Sequence, residues 1–324
     1  MAKAFTSALE RAKGRRGVLI LGICNVTPDS FSDGGEHFSA RDACERVDAL
    51  IGEGADMIDV GGESSRPSAT PVSPQQQLER VLEVVRYAAR RVPVSIDTTN
   101  AEVADACLEV GACAINDVSC ARDIEMARVA ARRQAAYFLM HSRGPQADMV
   151  GFSAYPDDAY GDVVVDVLGE WSEAAARVRD AGVTDDALVL DPGLGFAKNA
   201  RHSAEILRRM AEIVSASSVP VLIGASRKSF LKTWDAEAEP KERLGASIAS
   251  ALFAVRAGVK LVRVHDVRAT RQALETFHAL SASGSAAGAA MVPASQADAA
   301  DTIAPPPLDT DRSLPALNPE SGNA

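Results

Sequence analysis

The chain has 324 residues, 47% of them hydrophobic, and a formal net charge of −10, which is more length than one barrel of about 250 residues needs and ample material for a core. The acidic balance argues against nonspecific attraction to DNA or to an anionic membrane, since both repel a negative surface. Cys24, Cys44, Cys107, Cys113 and Cys120 form no C-x-x-C pair and no zinc-like grouping with histidine, which argues against a disulfide framework or a structural metal and for reduced thiols.

Residues 1–16 form a basic N-terminal extension carrying Lys3, Arg11, Lys13, Arg15 and Arg16. With the apolar run behind it, the extension imitates a secretory signal. That run is broken by Gly22 and Asn25 and stops at Pro28 without a small-residue cleavage site, so it reads as a first strand. No other stretch is long enough to cross a bilayer as a helix, and a cytoplasmic protein is expected.

Short apolar runs then alternate with longer amphipathic stretches, as for parallel strands buried on both faces with helices outside. The predicted strands are residues 17–24, 56–60, 93–97, 113–116, 136–141, 188–191, 220–225 and 260–264. Eight such units predict an α/β fold, a (β/α)8 TIM barrel in a single domain over residues 17–282, with an open doubly wound sheet as the structural rival. Leu78, Val81, Leu82 and Val85 recur at helical spacing, as do Leu244, Ile248, Leu252 and Val255, and both stripes read as packing faces. From residue 283 onward Ala, Ser, Gly, Pro and Asp dominate, and residues 283–324 read as a low-complexity disordered tail.

Nearly every predicted strand ends in a polar residue that a buried strand would otherwise not tolerate: Asn25, Glu63 with Arg66, Asp97, Asn116 with Asp117, His141, Asp191, Ser226 with Arg227 and Lys228, and Arg263 with His265 and Asp266. Burying that many unpaired polar groups costs several kcal/mol each, roughly, so a binding site at one rim is the simpler account. The groups divide by chemistry. Arg66, Arg263, His265 and the amide of Asn25 suit a phosphate or diphosphate, whereas Asp97, Asn116, Asp191 and Lys228 offer the mixture a flat nitrogen heterocycle needs. Loops 27–36 and 61–74 are rich in Gly, Ser and Pro, carry Phe31 and Arg66, and have the make-up of segments that close over a ligand.

The sequence resembles bacterial dihydropteroate synthases from about residue 17 to residue 280. The matching blocks are NVTPDSFSD at 25–33, GGESSRP at 61–67, SIDT at 95–98, IND at 115–117, LMH at 139–141, LDPGLGFAK at 190–198, SRKSF at 226–230 and RVHDV at 263–267. Any one is weak, but eight in order at strand ends are specific. The resemblance implies a transferase of folate biosynthesis that joins dihydropterin-6-ylmethyl diphosphate to 4-aminobenzoate, with Mg2+ on the diphosphate and a homodimeric assembly. It assigns Asp97, Asn116, Asp191 and Lys228 to the pterin pocket, and Asn25, Arg66, Arg263 and His265 to the diphosphate, with Asn25 also a metal contact. Phe31, Ser65, Arg66, Pro67, Phe196, Lys228 and Ser229 correspond to the aminobenzoate pocket, and Asp97, Lys228, Arg263 and His265 are the expected catalytic groups.

Ser65 stands where the family usually has Thr, and Ser68 where it often has Gly; losing one methyl could loosen the aminobenzoate pocket, and with it the hold on sulfonamide mimics, by about 1 kcal/mol. Two rivals remain at this stage. One is the methyltetrahydrofolate:corrinoid methyltransferases, which share the pterin carboxylates but need no diphosphate site; the other is a pterin-binding paralogue without turnover.

Overall fold

The computed structural model describes residues 1–27, 40–63, 72–144 and 155–286, the last five as helix path only. Eight short strands run β1 (Leu19–Asn25), β2 (Met57–Gly61), β3 (Val94–Asp97), β4 (Ala114–Asp117), β5 (Ala136–Met140), β6 (Leu188–Asp191), β7 (Leu222–Ile223) and β8 (Leu261–Val264). All pair in parallel, in the order β6-β5-β4-β3-β2-β1-β8-β7, and a parallel bridge between Leu190 and Val221 joins the two ends of the sheet. The result is the (β/α)8 barrel, with its strands within one or two residues of the apolar runs. β7 is the exception, two residues where six were expected, because the chain turns away from its neighbours and Lys228 N–H closes onto the Ala225 carbonyl at 3.3 Å.

Side chains alternate across each strand. Leu19, Leu21, Met57, Ala114, Ala136, Phe138, Val189, Leu222 and Leu261 fill the barrel interior as one apolar layer. Their neighbours Ile20, Ile58, Ile96, Ile115, Tyr137, Leu139, Leu190 and Val262 face out into the main core beneath the helices. Since both faces are covered, each strand reads as continuously apolar rather than alternating.

The N-terminal helix α1 (Ala2–Arg16) closes the barrel floor. Phe5, Ala8 and Ala12 join the interior layer, with the Phe5 ring 5.2 Å from that of Phe138, and Ala2 N–H donates to the Gln134 carbonyl at 2.6 Å. Its last side chain, Arg16, is buried in an ion pair with Asp56, whose carboxylate also accepts Ile20 N–H at 2.8 Å.

Outside the strands lie α2 (Ala40–Glu53), α3 (Pro74–Ala89), α4 (Ala101–Glu109), α5 (Ile124–Arg133), α6 (Val163–Asp180), α7 (Ala200–Arg208), α8 (Met210–Ala216), α9 (Leu244–Arg256) and α10 (Val267–Ala286). Side-chain oxygens of Ser73, Asn100, Asp123, Asp162 and Asn199 cap five of their N-termini. In α3 the expected packing stripe is the buried one, led by Val81 and Val85. In α9 it is only partly so. That helix fully buries Ser247, Ser250, Ala251 and Ala254; of the stripe, Leu252 and Val255 pack partly buried against the core, Leu244 and Ile248 are half-exposed, and neighbouring Phe253 is exposed. Small residues let α9 approach the barrel closely, and Ser247 Oγ is consumed by accepting Arg227 N–H at 3.0 Å.

Candidate active site

Above the apolar layer the inward positions change chemistry: Asp59 on β2, Ser95 and Asp97 on β3, Asn116 on β4, Asp191 on β6 and Arg263 on β8 all stand on the interior register, near the strands' carboxyl ends. Asp59 is fully buried and organises this layer. It accepts from the Ser95 hydroxyl, from Asn116 Nδ2 at 3.1 Å and from Arg263 Nε at 2.6 Å. A carboxylate only accepts, so the Asn116 amide must turn its nitrogen to Asp59 and its oxygen elsewhere. Arg263 completes the link, donating Nη2 to Asp97 at 2.7 Å. One guanidinium thus sits between two carboxylates. Asn25, at the end of β1, pairs with Gly61 on β2, where a Cβ would lie in ordinary contact with Asn25 Oδ1 at 3.7 Å and Asp97 Cβ at 3.4 Å.

Three apolar side chains, Val118 after β4, Met140 at the end of β5 and Phe196 after β6, form a small cluster of their own at this mouth. Lys228 Nζ stands 4.4 Å from the Phe196 ring centroid, donates to the Leu194 carbonyl and feels the charge of Asp191. Asp191 Oδ1 accepts Gly193 N–H at 2.7 Å. Gly193 has φ 68, and a Cβ on it would fall 2.1 Å from the His141 carbonyl oxygen, so no side chain fits there.

Lys228 is delivered by a strained turn. Arg227 adopts φ 60, a conformation costly for a residue with Cβ. It is held there by Ser247 on its N–H, by Arg243 on its carbonyl at 2.9 Å and by a two-pronged ion pair with Asp266. Because Asp266 follows β8, that pair also locks the strand end carrying His265. The His265 ring lies against Ser226 Oγ, with Nδ1 at 3.0 Å, while its main-chain carbonyl accepts Arg46 Nη2 at 2.9 Å.

Burial sets the protonation states. It pushes the Asp97 carboxyl up, with Arg263 pulling it back and Asp59 adding to the rise. Asp191 is raised too by burial, against the opposing pull of Lys228 and the Gly193 N–H. The Lys228 ammonium is brought down to about 8 by burial, offset in part by Asp191. Burial, with Arg263 and Arg227 adding to it, drops His265 to about 3, so this ring is neutral through the physiological range. Burial works against the charge on Arg263 as well, but Asp59 and Asp97 outweigh it and the group is held above its usual value.

A family profile described as pterin binding enzyme matches residues 21–265, most of the barrel. The chain belongs to the dihydropteroate synthase family. It is 42% identical over 269 residues to the dihydropteroate synthase of Mycobacterium leprae, covering 81% of this chain and 93% of that one. It is also similar to crystal structures of the Thermus thermophilus enzyme. The complex with 4-aminobenzoate has 40% identity and a TM-score of 0.70, and the complex with 6HMPPP has 39% and 0.68; each covers 81% of this chain and 94% of the other.

In this dihydropteroate synthase family member, Asn25, Asp97, Asn116, Asp191, Phe196, Lys228, Ser229, Arg263 and His265 all fall at the carboxyl end of the barrel. Ser229 starts a 3-10 turn and its buried Oγ has no hydrogen-bond partner among the described residues. Phe31, Ser65, Arg66 and Pro67, and with them the Ser65 and Ser68 departures, lie outside the described residues. The base of the second loop is described: Glu63 accepts Val72 N–H at 3.1 Å and Gln77 Nε2 at 2.9 Å, and Gln77 in turn accepts the Thr98 hydroxyl.

Two groups were missed by reading the chain in one dimension. Asp59 had a signal, a carboxylate inside the apolar run of β2. Val118 and Met140 had none, since an apolar residue at a strand end looks like core. Asp117, by contrast, faces outward and is spent on Ser119 N–H, Ala121 N–H and the Tyr137 hydroxyl.

Proposed function

We propose that this mouth joins (7,8-dihydropterin-6-yl)methyl diphosphate to 4-aminobenzoate, releasing diphosphate and forming 7,8-dihydropteroate. The observation that carries the reading is the collection at one barrel end of a small apolar cluster, Val118, Met140 and Phe196, with Asp97, Asn116, Asp191 and Lys228, and of Arg263 and His265 at the end of β8. Carboxylates and an amide oxygen match the ring N–H groups of a pterin, and apolar side chains suit its faces.

Reaction begins with cleavage of the C–O bond, whose electrons leave with diphosphate while positive charge grows on the pterin methylene. Asp97 and Asp191 favour that charge; Arg263, neutral His265, Asn25 and Arg66 stabilise the departing anion. The arylamine nitrogen then forms the C–N bond through its lone pair and loses one proton. A neutral aromatic amine is already nucleophilic, so no activated Ser, Cys or Lys is required. Lys228, Phe196 and Ser229, together with Phe31, Ser65, Arg66 and Pro67, are assigned to the aminobenzoate side.

Among the described residues no group of three His, Cys, Asp or Glu side chains could hold a metal. Asn25 Oδ1, at the end of β1, would hold Mg2+ together with substrate phosphate oxygens and water. Bound there, it would neutralise charge on the leaving diphosphate. The outward apolar face of α9, with Phe253 39% exposed and serines turned inward, supports a homodimer through that helix, which sedimentation at graded concentrations would test. Five free cysteines support a reducing, cytoplasmic setting, and among the described residues no helix is long and apolar enough to cross a membrane.

Diphosphate release, assayed with the pterin diphosphate, Mg2+ and 4-aminobenzoate, decides the reading. Release that requires both organic substrates supports it. Pterin binding without release would leave a silent pterin-binding protein instead.

A further inference from the structure

Lys198 has no part in the chemistry above, yet the residue is only 1% exposed. It sits among three acceptors: His141 Nδ1 at 2.8 Å, the Phe196 carbonyl at 3.0 Å and the His141 carbonyl at 3.4 Å. Burial draws Lys198 down to about 7, with Asp191 opposing; in its ammonium form its three hydrogens match the three acceptors and fix the protons of its neighbours. Nδ1 of His141 must accept, its proton must therefore be on Nε2, and Nε2 donates to Glu170 Oε2 at 3.0 Å. Glu170 is closed off by Arg143, whose guanidinium grips both its carboxylate oxygens and lies 3.8 Å over the Tyr160 ring.

The chain returns to the same loop. Tyr160 OH donates to the Ala197 carbonyl at 2.9 Å, and Ala197 itself holds φ 47. Consecutive carbonyls, Phe196 and Ala197, are thus pinned by two side chains that meet at Arg143 and Glu170. One of the pinned residues carries the site: the Phe196 ring faces Lys228 Nζ, and two residues earlier in the same loop the Leu194 carbonyl accepts from it.

We propose that Lys198 is a positioning residue for the transfer, acting with His141 and Glu170 as a buried strut that holds the loop after β6 so that Phe196 and Leu194 aim Lys228 at the pterin. The inference rests on the proposed function of the mouth and deepens it. A buried lysine tied only into folding would serve stability; this one ends on the backbone of Phe196, whose ring faces the pterin-side ammonium.

The test is a double-mutant cycle of Lys198→Met and Lys228→Ala, read by steady-state kinetics with pterin diphosphate and 4-aminobenzoate and by thermal melting. Lys198→Met keeps the volume but leaves His141 Nδ1 and two carbonyls without this donor, so a lower melting temperature is expected and the kinetics are read well below it. We expect kcat/KM for the pterin diphosphate to fall about tenfold or more in the single variant, but by less than about twofold when Lys228 is already Ala, because the group being aimed is gone. Glu170→Gln, at the partly exposed end of the strut, should move kinetics the same way by about two- to fivefold and carries the same cycle if Lys198→Met does not fold. Wild-type kinetics in Lys198→Met, or an equal loss in both backgrounds, would overturn the assignment. A wild-type chain that turns nothing over would sink the proposed function instead, whatever the cycle gives.

Discussion

Replacing Asp59 by Ala tests the layer on which the mouth is built. The carboxylate is fully buried and accepts from the Ser95 hydroxyl, Asn116 Nδ2 and Arg263 Nε, so Ala leaves three donors facing an apolar methyl. Each buried donor left without a partner costs about 1–3 kcal/mol, and removing one partner of a buried ion pair costs about 3–5 kcal/mol. Two effects reduce the sum: Arg263 keeps Asp97, and Asp97 is freed from a like charge. A net loss of about 4 kcal/mol is expected, a fall in Tm of about 8–16 °C for a domain of this size. Asp59→Asn should cost less than about 2 kcal/mol, because the Ser95 hydroxyl can turn to accept the new amide hydrogen. Thermal and denaturant unfolding of the three proteins, with pterin diphosphate affinity by calorimetry, provide the readout. An Ala variant within about 1 kcal/mol of wild type would refute the reasoning, since three orphaned buried donors cannot be that cheap.

Arg263→Ala should lose transition-state stabilisation of about 3 kcal/mol, on the order of a hundredfold in kcat, by analogy with removing an oxyanion donor; near-normal turnover in a variant whose circular dichroism confirms folding would count against its role. The pH dependence of kcat/KM for the pterin diphosphate should be a bell. Activity rises as the buried, elevated Asp97 carboxyl loses its proton and falls above about 8 as Lys228 becomes neutral, while His265, held near 3, contributes no limb. A profile flat from about pH 6 to about pH 9 would rule out both groups as the ones that must be charged.

Much of the site was legible because its residues end strands. A charged or amide side chain at the close of an apolar run, repeated around eight strands, signals a mouth, and Asp97, Asn116, Asp191, Arg263 and His265 were all readable that way. Asp59 was hidden by its setting: one acid in a five-residue strand looks like a register break until Arg263, 204 positions away, is placed against it. Lys198 looked like the tail of a glycine-rich turn, and only three acceptors drawn from two different strand ends give its ammonium a purpose. The stripe of α9 held only in part, Leu252 and Val255 packing on the core, because spacing reports amphipathicity and not which residues sit deepest, and there Ser247 and Ser250 did.

By itself the sequence determined the number of strands, their parallel run, the end at which polar groups collect and the family of the chain, since each depends on local pattern or on short motifs in order. Tertiary structure alone decided which acid anchors Arg263, that α1 plugs the floor and how Lys228 is aimed. Those depend on partners far apart in the chain, and a hydrogen bond or an ion pair across a barrel leaves no periodicity for a one-dimensional reading to detect.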